Sequence, residues 1–261
     1  MVKLSQHFLV SESVRDRILK AASLTGKDVI LEIGPGKGFL TEALLKVAKK
    51  VYAIELDRSL CSYLKSKFSK EIKDGKLEVV CGDALKYDFP RHITKIVSNL
   101  PYKISSPIVE RIILFGKPSV LMFQKEFAER MVAKPGDKHY SRLSFLVRYL
   151  ADAEIVFYVP RRNFKPIPKV DSAVVKIVPK RIKVDRELLF VAKLLFQHKR
   201  KKVITALVSE RRHFTIQDKK KLKAKLQECL GTIANTKVLD LDVNDMKSIK
   251  TKIRNILKSA S

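Results

Sequence analysis

A chain of 261 residues with 54 Lys+Arg against 27 Asp+Glu has a formal charge of +27, and 46% of its residues are apolar. That length and apolar content support one large or two modest domains with a buried core, and argue against a disordered chain. The charge favours polyanions as partners, nucleic acid first, with binding that weakens as salt rises.

Between residues 27 and 178 short apolar runs alternate with helical patterns. This is the rhythm of a mostly parallel sheet covered by helices. Strands are predicted at Val29–Ile33, Val51–Ile54, Leu77–Cys81, Ile96–Ser98 and Val120–Gln124, and helices at Gly38–Ala48, Ser59–Ser69 and Pro107–Leu114. A helix over Arg142–Leu150 follows. Glu154–Val159 and Ala173–Val178 then read as an antiparallel edge hairpin, because the Pro-rich loop between them is too short for a crossover helix. After Pro179 helical spacing takes over at Glu187–His198, Lys201–Ser209, Lys219–Leu230 and Val243–Leu257. In the third of these, Leu222, Leu226, Cys229 and Leu230 share one face and Lys219, Lys220, Lys221, Lys223 and Lys225 the other. The fold class expected is therefore α/β: a Rossmann-like sheet domain over 1–180 and a small basic helical domain over 181–261.

Residues 181–261 hold 21 basic and 8 acidic residues, which leaves +13 in 81 positions. This is where a nucleic-acid surface is expected; the competing reading is solvated Lys-rich helices. No apolar run approaches the roughly 20 residues that cross a bilayer, and the first residues lack a signal-peptide core. Cys61, Cys81 and Cys229 are widely spaced with no Cys-x-x-Cys pair, which argues against a disulfide framework or zinc and for a cytoplasmic setting. Cys61 and Cys81 read as small buried hydrophobes. His92, His139 and His213 lack metal-ligand spacing and are assigned to surface or packing roles.

The first strand runs into Glu32-Ile33-Gly34-Pro35-Gly36-Lys37-Gly38 and then a helix. Such a loop turns tightly and brings N–H groups toward a ligand at a helix N-terminus. The spacing is neither G-x-G-x-x-G nor a P-loop. The second strand ends in Glu55-Leu56-Asp57 and the third in Gly82-Asp83-Ala84. Acids at those ends can accept hydrogen bonds from ribose hydroxyls and from an adenine amine, pointing to an adenosyl ligand where the strand order reverses. The fourth ends in Asn99-Leu100-Pro101-Tyr102. An adenine amine is a poor nucleophile until acceptors draw its hydrogens out of the ring plane. The Asn99 side-chain oxygen and the Leu100 carbonyl, held extended by Pro101, are such acceptors, and Tyr102 offers a stacking face.

With Gln6-His7-Phe8-Leu9, Asn99-Leu-Pro-Tyr-x-Ile-Ser-Ser-Pro107, Phe164-x-Pro-x-Pro-x-Val-Asp-Ser172 and the run His198-Lys-Arg-Lys-Lys202 also in order, the sequence resembles the rRNA adenine dimethyltransferase family, in particular its small-subunit members. The resemblance implies S-adenosylmethionine as methyl donor and no metal. Gln6 and His7 would close the donor site, with Leu9 beside them. Gly34, Gly36 and Gly38 would surround the amino-acid part, Glu55 would hold the ribose with Leu56 next to it, and Asp83 with Ala84 the adenine. Asn99, Leu100, Pro101 and Tyr102 would form the acceptor set, with Asn99 reaching the donor as well, and Phe164 would be the second aromatic on a flipped base. The implied reaction adds two methyl groups to each of two neighbouring adenosines of small-subunit rRNA within a pre-ribosomal particle, by a monomer.

Where the family often has Val-Pro-Pro, this chain has Val159-Pro160-Arg161-Arg162. Arg161, Arg162 and Lys165 are therefore expected at the RNA beside the target loop, together with Lys199, Arg200, Lys201 and Lys202. Two alternatives stay open: a large-subunit rRNA adenine methyltransferase, and a ribosome-assembly or transcription factor in which methylation is secondary.

Overall fold

The computed structural model describes residues 7–101 and 104–258. It divides into two compact units, Met1–Glu129 with Ala151–Lys180, and Arg130–Leu150 with Arg181–Ser261. No helix among the described residues is long and apolar enough to cross a membrane.

The first unit runs β1 (Phe8–Leu9), α1 (Glu12–Ala22), β2 (Val29–Ile33), α2 (Phe39–Val47), β3 (Lys50–Glu55), α3 (Arg58–Lys67), α4 (Ser69–Lys73), β4 (Leu77–Cys81), β5 (Lys95–Asn99), α5 (Ser105–Phe115) and β6 (Ser119–Gln124). The chain then passes through α6 (Lys125–Val132) and α7 (Arg142–Leu150) and returns as β7 (Ala151–Val159), β8 (Phe164–Lys165) and β9 (Ser172–Pro179). Seven of these strands form one sheet in the order β4-β3-β2-β5-β6-β9-β7, and β1 pairs with β8 separately. β2 is central: Leu31 lies opposite Tyr52 of β3 on one side and Ile96 of β5 on the other, both in parallel register. The chain walks outward from β2 to β4 and then jumps back to β5, so the strand order reverses at the carboxyl ends of β2 and β5. That is where open α/β sheets bind ligands.

Local chemistry explains the elements. Central strands are near-continuous apolar runs, as parallel strands buried on both faces must be. α1 starts where the Ser11 hydroxyl accepts from the Val14 N–H, and it buries Val14, Ile18 and Ala22 at helical spacing. At the far edge β9 is antiparallel to both β6 and β7, with a bulge between Ile155 and Phe157. Two reversals make β7 run in the same direction as β6. The loop 160–171 therefore emerges at the same end of the sheet as the carboxyl ends of the parallel strands.

The second unit contains α7, α8 (Arg186–Phe196), α9 (Val203–Ser209), α10 (Lys219–Leu230) and α11 (Val243–Ile253). Asp185, Asp218 and Asp242 cap α8, α10 and α11. Residues 130–150, expected within the sheet domain, cluster with this unit. The cause is aromatic packing: Tyr140 meets Phe196 edge-on at 5.5 Å, Phe145 lies 6.1 Å from the same ring, and the Tyr140 hydroxyl donates to the Leu241 carbonyl at 3.1 Å. On α10 Leu222, Leu226 and Leu230 are buried, whereas Cys229 is only half-buried.

Candidate active site

The loop between β2 and α2 has Gly34, Gly36 and Gly38 at φ of 70°, 59° and 76°. Left-handed backbone of this kind costs any other L-residue roughly 1–2 kcal/mol. Each glycine also sits against a different neighbour. A Cβ on Gly34 would lie 2.7 Å from the Pro101 ring, one on Gly36 would lie 2.9 Å from the Phe8 ring, and one on Gly38 would lie 2.5 Å from Phe68. The loop is thus seated on the Asn99–Pro101 segment, on β1 and on the Phe68 ring just past α3, with no room for a side chain.

Glu55 ends β3, 6% exposed, and folds its carboxylate back on this loop: Oε2 accepts from the Gly36 N–H and Oε1 from the Asp57 N–H, both at 3.0 Å. A carboxylate has about four acceptor sites, so each oxygen retains capacity for a hydroxyl. Leu56 beside it is 57% exposed, an apolar surface next to that acid. Asp57 has a different task, accepting from the Ser59 and Leu60 N–H groups as the cap of α3. Asp83, just past β4, accepts from the Leu85 N–H at 2.9 Å and is partly exposed, with Ala84 buried behind it.

At the end of β5, Ser98 Oγ donates to the Ile33 carbonyl at 2.5 Å, tying the strand to the root of the glycine loop. The Leu100 N–H donates to the Met122 carbonyl at 3.3 Å. Asn99 is half-buried, Leu100 buried and Pro101 exposed. Tyr102, like Gln6, lies outside the described residues.

β1 meets the loop 160–171 directly. Phe8 lies opposite Lys165 and Leu9 opposite Phe164, the Val10 N–H donates to the Asn163 carbonyl at 2.9 Å, and His7 Nδ1 is 2.8 Å from the Pro166 carbonyl oxygen. Sequence reasoning missed this ribbon. Leu9 is buried, and Phe164 is fully buried within the same core cluster. The Phe164 ring is buried in this arrangement, while Ile167 and Val170 are exposed apolar side chains of the same loop. Arg161, Arg162 and Lys165 are exposed.

Glu32 lies under the glycine loop, accepting from Thr41 Oγ1 at 2.7 Å. Burial pushes its carboxyl up to about 8; the Thr41 hydroxyl pulls the other way, and the charge of Glu55 adds to the rise. Cys61 is buried and donates to the Glu55 carbonyl at 3.4 Å, with a thiol pushed up to about 12 by burial and by the neighbouring Cys81. Cys81 is exposed, so the buried role expected for it holds for Cys61 alone.

In the second unit Arg200, Lys201 and Lys202 are exposed. Lys199 instead donates its Nζ to the Tyr140 and Lys138 carbonyls at 3.2 and 3.3 Å, a contact that fastens the segment 138–140.

A family profile described as "Ribosomal RNA adenine dimethylase" matches residues 2–251. A Pyrococcus abyssi protein named probable ribosomal RNA small subunit methyltransferase A is 41% identical, covering 97% of this chain and 91% of its own. One of the same name from Methanosarcina mazei is 42% identical, with coverage of 95% and 91%. Among solved structures, a dimethyladenosine transferase from Plasmodium falciparum superposes with TM-score 0.80 at 34% identity, covering 95% of this chain and 98% of that one. The 23S rRNA methyltransferase ErmE superposes with TM-score 0.68 at 26% identity, covering 95% and 99%.

Proposed function

The chain belongs to the ribosomal RNA adenine dimethylase family and is an S-adenosylmethionine-dependent rRNA adenine dimethyltransferase, and on that footing we propose that it converts two neighbouring adenosines of small-subunit rRNA, within a pre-ribosomal particle, to N6,N6-dimethyladenosine. The observation that carries the residue-level reading is the seating of Gly34 against Pro101. It joins the loop expected around the donor to the segment expected around the acceptor amine.

The donor fits the row of strand ends on two grounds: the half-used carboxylate of Glu55, and the exposed Leu56 beside it. Glu55 would hold the ribose and Asp83 the adenine, with His7 and Gln6 closing over the loop. When bound, S-adenosylmethionine supplies a methyl group already activated on a sulfonium. What remains for the protein is orientation. The Asn99 oxygen and the Leu100 carbonyl accept the two hydrogens of the N6 amine and turn its lone pair out of the ring plane. Asn99 cannot take a proton, and the alkylated amine is acidic enough to release one to water. The base must leave its helix to reach this point and rests on Tyr102. Phe164 is buried in the core cluster, opposite Leu9 of β1. The sheet unit is the catalytic domain, and the exposed cations of the second unit, with Arg161, Arg162 and Lys165, hold the RNA.

Primer-extension mapping of rRNA after incubation of undermethylated small-subunit particles with protein and donor tests this. Paired stops at two adjacent adenosines of small-subunit rRNA are expected. Stops confined to large-subunit rRNA, the target in the ErmE name, refute it.

A further inference from the structure

We infer that Arg111 is a positioning residue for the donor's adenine, acting through the turn that carries Asp83. Arg111 lies two turns into α5, the helix that begins just after the Asn99–Pro101 segment. Its Nη1 donates to the Leu85 carbonyl and its Nη2 to the Tyr87 carbonyl. The guanidinium also lies over the Phe89 ring, 4.5 Å from its centroid, with Asp88 Oδ1 3.7 Å away. Phe89 is in turn buried edge-on against Phe115, the last residue of α5, at 5.4 Å. One planar side chain therefore gathers the segment 85–89.

The upstream half of that segment is the turn at Asp83. The Lys86 and Tyr87 N–H groups both donate to the Asp83 carbonyl at 2.9 Å, and the Leu85 N–H donates to its carboxylate. Leu85 and Tyr87 thus grip Asp83 with their N–H groups and Arg111 with their carbonyls. The geometry needs two donors held in a fixed fork, which an ammonium lacks. Because α5 also leads directly from the acceptor segment, the same helix sets the adenine-reading turn in register with the end of β5.

The inference rests on the reading that Asp83 meets the donor's adenine, and its test separates the two. Affinity for S-adenosylmethionine is measured by calorimetry on Arg111→Lys, Arg111→Ala, Asp83→Ala and the Asp83→Ala/Arg111→Lys double variant, and donor KM and kcat are measured on small-subunit particles. Both Arg111 variants should weaken donor binding and raise donor KM by roughly tenfold, the size of one charged hydrogen bond, with kcat at saturating donor within about twofold of wild type. In the double variant the Arg111→Lys change should add less than about twofold, because the turn it positions no longer carries the acceptor. Wild-type affinity in Arg111→Lys, or a full additive loss in the double variant, overturns the positioning role, the latter because a general loss of structure would act regardless of Asp83. Wild-type affinity in Asp83→Ala removes the adenine reading itself, and the inference falls with it.

Discussion

Replacing Gly34 with alanine places a methyl group 2.7 Å from Pro101 Cγ and 2.9 Å from its Cδ, on a residue whose φ is +70°. The left-handed backbone alone costs alanine roughly 1–2 kcal/mol. Relief of the steric overlap adds roughly 1–3 kcal/mol, as for an extra methyl in a filled core. Gly116 separates the two contributions, since it has φ +75° and nothing within 4 Å of a built Cβ. Gly116→Ala should therefore show the backbone cost alone. Gly34→Ala should lose about 1–3 kcal/mol more in denaturant unfolding. The proline ring cannot rotate away, so its displacement is passed to Leu100 and Asn99. A shift of about 1 Å in reacting groups can cost about a hundredfold in rate, and single-turnover methylation at saturating donor should fall on that scale for Gly34→Ala and stay near wild type for Gly116→Ala. Equal stabilities for the two variants, with an unchanged rate for Gly34→Ala, would refute the reasoning.

Asn99→Ala should slow single-turnover methylation at saturating donor by about 10²–10³, the effect of removing one transition-state acceptor; a wild-type rate removes the amine-polarising role. Glu32→Gln tests the buried carboxyl: the folded protein keeps a proton that the unfolded chain releases above the ordinary value of 4.5, so stability falls as pH rises from there toward about 8. The amide can still accept from Thr41 and should flatten that fall, read as melting temperature across the window; an unchanged slope places the dependence elsewhere. Neutralising Arg200, Lys201 and Lys202 should reduce the salt slope of particle binding by roughly 0.7–0.9 for each phosphate left without its cation. Lys199→Ala, which frees the Tyr140 and Lys138 carbonyls, should lower the melting temperature instead, and a salt-slope change without a melting change reverses that assignment.

The central strands are legible in sequence because burial on both faces leaves uninterrupted apolar runs with glycine or polar residues at their ends, and β2 and β4 fall on the residues expected. The strand-end acids and the Asn99 segment follow, since the sheet alone places them. α1 has readable signals in Ser11 and the spacing of Val14, Ile18 and Ala22, yet it lies ahead of the alternating region and is missing from the predicted elements. The ribbon of β1 and β8 is not readable: two-residue strands have no periodicity, and its partners are more than 150 positions apart. The burial of Phe164 is not readable either, because sequence shows the residue type and not its pairing with Leu9 of β1. Arg111 and Lys199 resemble solvated cations among many, and only the carbonyls facing them reveal otherwise. The return of residues 130–150 to the helical unit depends on Tyr140 and Phe145 finding Phe196, a contact between distant segments that no local pattern encodes.

The reversed strand β9 has a consequence for how such an enzyme can diversify. Because β7 and β9 turn at the same end of the sheet as the parallel strands, the loop 160–171 is delivered to the end of the sheet that carries Asn99 by an edge hairpin, far along the chain from the glycine loop and the acids of β3 and β4. The strand-end acids proposed for the donor and the loop proposed for the target thereby lie on opposite halves of one sheet. Charge in the exposed part of that loop, such as the Arg161-Arg162 pair, can change without touching the ends of β2, β3 and β4, whereas residues 163–166 are tied to β1 and cannot be lengthened or shortened so freely.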